Sequence, residues 1–190
     1  MPLILEAVVT TLGSDGAPHI TPLGFQREDD QVVLAPFVPS QTLANLRARP
    51  HAVLNFTDDV RVIAGCLTGR RVWPTCAAHG PVPRLAEALA YEELAVAEIL
   101  EHPQRPRFAC RVTHRETLAA FTGFNRAQWA VVEGAILVSR LEWLAPEIVS
   151  TALAFLQSAV EKTAGERELT AWRWLLEAVA AHPRHGAASR

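Results

Sequence analysis

Lysine is almost missing from this chain: Lys162 is the one lysine among 18 cationic side chains. Any clamp on a phosphate would therefore be an arginine fork, able to bond two oxygens at once. Cationic excess is absent too. A net charge of −2 gives no reason to expect nucleic acid or an anionic membrane as partner. Cysteine is scarce and odd in number, at Cys66, Cys76 and Cys110, which argues against a disulfide framework and fits a reducing compartment. No stretch of about 18 or more uncharged apolar residues occurs, and the first six residues have neither a basic start nor an apolar run long enough for a signal peptide. A cytoplasmic protein is expected. There is no internal repeat and no low-complexity tract.

The 190 residues, 49% of them hydrophobic, suffice for one ordinary domain with an appended piece and a real core. Two β-prone runs, at 7–12 and 19–25, flank Gly13-Ser14-Asp15-Gly16-Ala17-Pro18, and Asp-Gly between such runs is a hairpin signal. A third run at 31–35 leads through Pro36-Phe37-Val38-Pro39 to Ser40, where a helix should begin. Leu43, Leu46 and Arg47 carry it on, and Pro50 supplies the stop. Its first N–H groups have no partner inside the helix. With the Ser40 and Thr42 hydroxyls they would form a socket for a phosphate dianion, and Asn45, one turn on, would add an amide. On spacing alone, a plain cap on a surface helix is the commoner reason for such a serine.

Further along, 60–67 reads as a strand, and 70–74 continues the barrel or crosses its mouth. Trp73 is read as a surface anchor before a ring-packing residue. Leu85, Leu89, Val96 and Leu100 fall at helical spacing, which predicts a helix after Pro83 ending near His102-Pro103. Alternation over 107–114 predicts a half-buried strand. The last third is helical: one stripe after Asn125-Arg126, a second helix from Pro146, a third carrying Leu169, Trp172, Leu176 and Val179, with a turn at 162–168 and a frayed tail over 184–190. Cys76-Ala77-Ala78-His79 has a metal-ligand spacer but no second matched pair, so no metal site is expected and the thiols are read as buried and inert. Arg126 opens an apolar helix, where a cation opposes the macrodipole and calls for an anion: a bound phosphate or substrate, or a salt bridge to Glu133, Asp58 or Asp59.

The succession Ala-Val-Val-Thr-Thr, Asp-Gly-x-Pro-His, Thr-Pro-Leu-Gly, Pro-Phe, Ser-x-Thr-x-x-Asn-Leu and Val-x-Asn-Phe-Thr-Asp-Asp resembles the FMN-binding split barrels. Within them it is most similar to the flavin-reductase-like group called domain of unknown function 447, whose second motif Phe124-Asn125-Arg126-Ala127 resembles. The resemblance covers about two thirds of the chain. It implies an α+β fold: an antiparallel split β-barrel over 1–116 with an inserted helix, and a helical C-terminal region over 117–190. It also implies FMN at the interface of a homodimer, the phosphate near Ser40 and Thr42 and the ring against the loop after the second strand. The cofactor-binding residues expected on that basis are Thr21, Pro22, Leu23, Gly24, Pro36, Phe37, Ser40, Gln41, Thr42, Asn45, Asn55, Asn125 and Arg126. Asn55 has a competing reading as turn chemistry, and Gly24 as a strand bulge. No catalytic residue stands out.

Three functions stay open: an oxidoreductase moving hydride between FMN and a small soluble substrate or reduced cofactor, a flavin-binding module that stores or senses without turnover, and an interaction protein using Trp143, Trp172 and Trp174.

Overall fold

The computed structural model describes residues 3–186. The chain divides into two compact units, Met1–Thr57 with Arg71–Phe121, and Asp58–Arg70 with Thr122–Arg190. The first contains β1 (Leu5–Leu12), β2 (Pro18–Glu28), β3 (Gln31–Leu34), α1 (Gln41–Ala48) and β4 (His51–Phe56). After an excursion into the other unit through α2 (Val60–Leu67), it continues with β5 (Thr75–Cys76), β6 (Arg84–Leu85), β7 (Ala90–Leu100) and β8 (Arg107–Thr117). The second adds α3 (Arg126–Val138), α4 (Pro146–Thr163) and α5 (Glu166–Ala181) to α2.

Six strands close an antiparallel barrel in the order β1-β2-β3-β8-β7-β4, while β5 and β6 form a separate two-stranded sheet. The first hairpin forms as expected. Gly16 takes φ +82, a backbone region that side chains disfavour, and Gly13 donates to the Ala17 carbonyl at 2.9 Å. Inward-facing Val9, Phe25, Leu34, Leu54, Leu94 and Phe108 fill the barrel, each worth about 1.5–3 kcal/mol when fully withdrawn from water. Cys110 lies among them, and burial pushes its thiol up to about 12, leaving it inert at neutral pH. Cys66 is buried as well, but Cys76 is exposed, which corrects the expectation of three buried thiols.

Two predicted elements change type. Residues 60–67 are the helix α2, because Asp59 caps it by accepting from the Arg61 N–H at 3.1 Å, and a helical turn buries Val60 and Ala64 together. Residues 90–100 form the strand β7, paired on both sides, where a helix was expected. Its phenol, Tyr91, is pushed up to about 12 by burial, by its bond to Glu116 and by the charges of Glu116 and Glu93. It therefore stays protonated and donates to Glu116 at 2.7 Å.

In the helical unit, Val131, Ala135, Val149, Leu156, Val160, Trp172 and Leu175 pack around one core. Trp172 is thus a core residue, its indole N–H donating to Gln157 at 2.6 Å, while Trp143 is largely exposed. The expected turn at Gly165 separates α4 from α5, and the Glu168 carboxylate closes it by accepting the Gly165 N–H at 2.9 Å. The predicted frayed tail needs correction at its start. His185 is buried, with Nε2 at 2.8 Å from the Leu141 carbonyl, and 187–190 lie outside the described residues.

Candidate functional site

The start of α1 concentrates polar groups that the fold leaves unused. Ser40 takes an extended conformation and its hydroxyl oxygen accepts the Leu43 N–H at 3.2 Å, so the serine caps the helix as the sequence suggested. Its carbonyl takes the Ala44 N–H at 3.2 Å. Among the described residues, nothing accepts from the Gln41 or Thr42 N–H groups, and the hydroxyl of Thr42, a buried residue, has no hydrogen-bond partner. No acidic side chain stands in the first turn. The result is a neutral cluster of donors at the positive end of a helix, suited to a dianion rather than a cation.

Asn45 holds this turn in place rather than adding to the cluster. Its amide nitrogen donates to Thr11 on β1 at 2.9 Å, and its oxygen accepts from Gln41 at 2.7 Å. The preceding loop is fixed from elsewhere: the Arg105 guanidinium donates to the Ala35 carbonyl at 3.1 and 3.0 Å and lies 4.3 Å from the Phe37 ring centroid. Val38 donates to the Gln104 carbonyl at 2.9 Å. Pro36 is buried beneath, and Phe37 keeps 59% of its surface exposed despite the arginine, leaving a flat aromatic face toward solvent. Sequence reasoning missed Arg105. Its one signal is an arginine soon after His102-Pro103, and the His102 Nδ1 indeed accepts the Gln104 and Arg105 N–H groups to shape that turn.

Thr21, Pro22, Leu23 and Gly24 lie within β2, in keeping with the β-prone run at 19–25. They pair with Val9, Val8, Ala7 and Glu6 of β1, whereas β3 joins β2 only from Phe25 onward. Over these four residues no strand is paired to the other side of β2 among the described residues. That open edge offers backbone donors and acceptors. At Gly24 the missing side chain makes room within the sheet, since a Cβ would stand 3.0 Å from Ile4 and 3.3 Å from the Glu6 carboxylate.

Asn55 is fully committed to the fold. Its nitrogen donates to the Val8 carbonyl and the Thr10 hydroxyl, both at 3.0 Å, and its oxygen accepts the Leu85 N–H at 2.7 Å, all out of contact with water. Both of its polar atoms thus serve to tie β4 to β1 and β6. This also replaces the turn reading, because β4 runs on to Phe56.

Asn125 and Arg126 belong to the helical unit. Asn125 caps α3, its oxygen accepting the Ala127 and Gln128 N–H groups at 2.8 and 3.2 Å while its nitrogen donates to Thr163. Arg126 is exposed and has no ion pair among the described residues. Asp59, one of its possible partners, holds Arg61 at 2.6 Å instead.

A family model described as "Protein of unknown function (DUF447) N-terminal domain" matches residues 5–119, and its companion, "Protein of unknown function (DUF447)", matches 125–177. Among solved structures, an FMN-bound DUF447 protein from Methanosarcina mazei superposes with a TM-score of 0.80 at 17% identity, covering 94% of this chain and 96% of its own. An FMN-binding protein from Thermus thermophilus gives 0.52 at 19%, over 62% of this chain and 71% of its own. The 2-nitrobenzoate 2-nitroreductase of Pseudomonas fluorescens gives 0.51 at 21%, over 62% and 66%. At these identities the likeness establishes the fold. No curated protein matches.

Proposed function

The chain belongs to the DUF447 family, and on that premise we propose that it is an FMN-binding flavoprotein acting as an oxidoreductase on a small soluble substrate or reduced cofactor. The observation that carries this reading is the donor set at the start of α1. The unaccepted N–H groups of Gln41 and Thr42, with the Ser40 and Thr42 hydroxyls, fit a phosphate dianion. The open edge at Thr21–Gly24, numbered 21–24, and the exposed Phe37 face would take the flat ring, with Pro36 and Asn45 keeping those parts in place. The match across 94% of the chain to a protein that holds FMN supports the same assignment. When bound, the cofactor supplies the redox chemistry, and the residues named here bind and orient it. A homodimer, with the cofactor at the interface, is part of the proposal and rests on the resemblance to the split barrels. Light scattering that finds only monomer would remove it.

Titration with FMN and with riboflavin tests the phosphate assignment. FMN should bind more tightly than riboflavin. Ser40→Ala with Thr42→Ala should lower FMN affinity at least tenfold, roughly 1.4 kcal/mol, while leaving riboflavin affinity nearly unchanged. An equal loss for both ligands would overturn the assignment. Arg126→Ala separates a second anion role: unchanged FMN affinity with lower turnover places Arg126 with the substrate. For the reaction itself, anaerobic NADH or NADPH should bleach the flavin band faster than it bleaches free FMN. A bound pigment inert to nicotinamide, deazaflavin and pterin reductants would reduce the function to flavin binding without turnover.

A further inference from the structure

The outward face of β7 and β8 carries a group of ionisable side chains that the flavin site does not use. The register sets Tyr91 beside Glu116 and Glu93 beside His114, so all four project from one face of the sheet. His79, from the loop after β5, lies over them with its ring centroid 3.8 Å from that of His114. One ring nitrogen from each histidine and one Glu116 oxygen lie within 4.8 Å of one another. The His114 Nε2 is shut off from water and has no hydrogen-bond partner among the described residues. A nitrogen left so is costly unless something is bound to it.

The surroundings resemble the support that metal ligands need. Tyr91 donates its phenolic proton to Glu116 at 2.7 Å and so orients that carboxylate. Glu93 accepts the backbone N–H groups of His79 and Gly80, each at 2.7 Å, and so anchors the loop that presents His79. Gly80 permits this approach, because a Cβ there would stand 2.6 Å from the Glu93 carboxylate. The Arg84 guanidinium, 5.5 Å from the Tyr91 ring centroid, is the nearby cation, set against two carboxylates.

We propose that His79, His114 and Glu116 bind one divalent transition-metal ion. Two imidazoles and a carboxylate select zinc or ferrous iron over calcium or magnesium, and three protein ligands leave a coordination position open. Donors about 2.0–2.1 Å from a tetrahedral ion sit about 3.4 Å apart, so the group must tighten. His79, whose side chain is 65% exposed on a loop, is the ligand free to move. The sequence hid this set because its members come from a loop and from a strand 35 positions later. The Cys76-x-x-His79 spacing pointed to the wrong partner, since Cys76 lies outside the group.

Untagged protein stripped with chelator and titrated calorimetrically with Zn²⁺ should bind one ion per chain, and Co²⁺ should give visible d–d absorption at the same stoichiometry. His79→Ala and Glu116→Gln should each weaken Zn²⁺ binding at least tenfold, and Cys76→Ser should not change it. Zn²⁺ should also raise the melting temperature of the parent protein but not of Glu116→Gln. Because His79 is largely exposed and Gln matches Glu in shape, both variants should fold, which circular dichroism checks. No bound ion, a stoichiometry other than one, binding that survives both substitutions, or binding lost in Cys76→Ser would each overturn the proposal.

Discussion

Replacing Asn55 with alanine strips the Leu85 N–H and the Thr10 hydroxyl of their partner inside the protein. Each orphaned buried group costs about 1–3 kcal/mol, so Asn55→Ala should destabilise the chain by about 2–4 kcal/mol in urea unfolding. Whatever protein remains folded should bind flavin with unchanged affinity, because both polar atoms of Asn55 are buried and bonded within the fold. His19 gives a pH test. Burial, with a smaller push from the Arg71 charge, holds its imidazole below the usual 6.5. Below about 6.5 the unfolded chain then takes up more protons at this position than the folded one, so the stability His19 contributes is present above that pH and declines as the pH falls. Urea titrations between pH 7.5 and 5.5 should show that decline, and His19→Gln should flatten it. The role of Ser40 was readable in sequence because a cap bonds to a residue three positions away. The roles of Asn45 and Asn55 were not, because their partners on β1 and β6 are about 30 or more positions distant.

At the scale of elements, composition misled where tertiary partners decided. Val-Arg-Val-Ile-Ala-Gly-Cys-Leu at 60–67 is rich in β-branched residues, yet the Asp59 cap and a buried stripe at helical spacing outweigh that propensity. In β7 the opposite happened. Register shifts at Glu93/Leu94 and Val96/Glu98 break the two-residue alternation, and buried Glu92 and Glu93 interrupt the apolar pattern, so the leucines happened to fall at helical intervals. Gly134 on α3 shows packing outweighing propensity again. Alanine would favour the helix by up to about 1 kcal/mol. Here, however, its Cβ would stand 2.9 Å from the Trp172 ring and 3.1 Å from Leu175. Trp172 is held by Gln157 and cannot retreat. Overpacking of this kind costs about 1–3 kcal/mol, so Gly134→Ala should lower stability by about 1 kcal/mol in chemical denaturation. Asn125→Ala, which removes the α3 cap, should cost about 1–2 kcal/mol by the same assay.

At the scale of the whole chain, among the described residues, the barrel interior and the helices α2, α3, α4 and α5 hold separate cores with no residue in common, and a smaller cluster of Val53, Val82 and Tyr91 lies apart from both. The barrel was expected from the resemblance, with β7 read as a helix, while the first hairpin, α1 and the run of C-terminal helices followed from local patterning. The membership of 58–70 in the helical unit did not, since nothing within those residues names partners about 60 positions ahead. That detour matters at the ribosome. The segment bearing Val60 and Ala64 leaves the exit tunnel well before the helices that will cover it, and it must wait with greasy flanks bare while the remaining strands are made. A stalled or clipped product ending near 121 should thus attract chaperones and hydrophobic dyes even with all six barrel strands present.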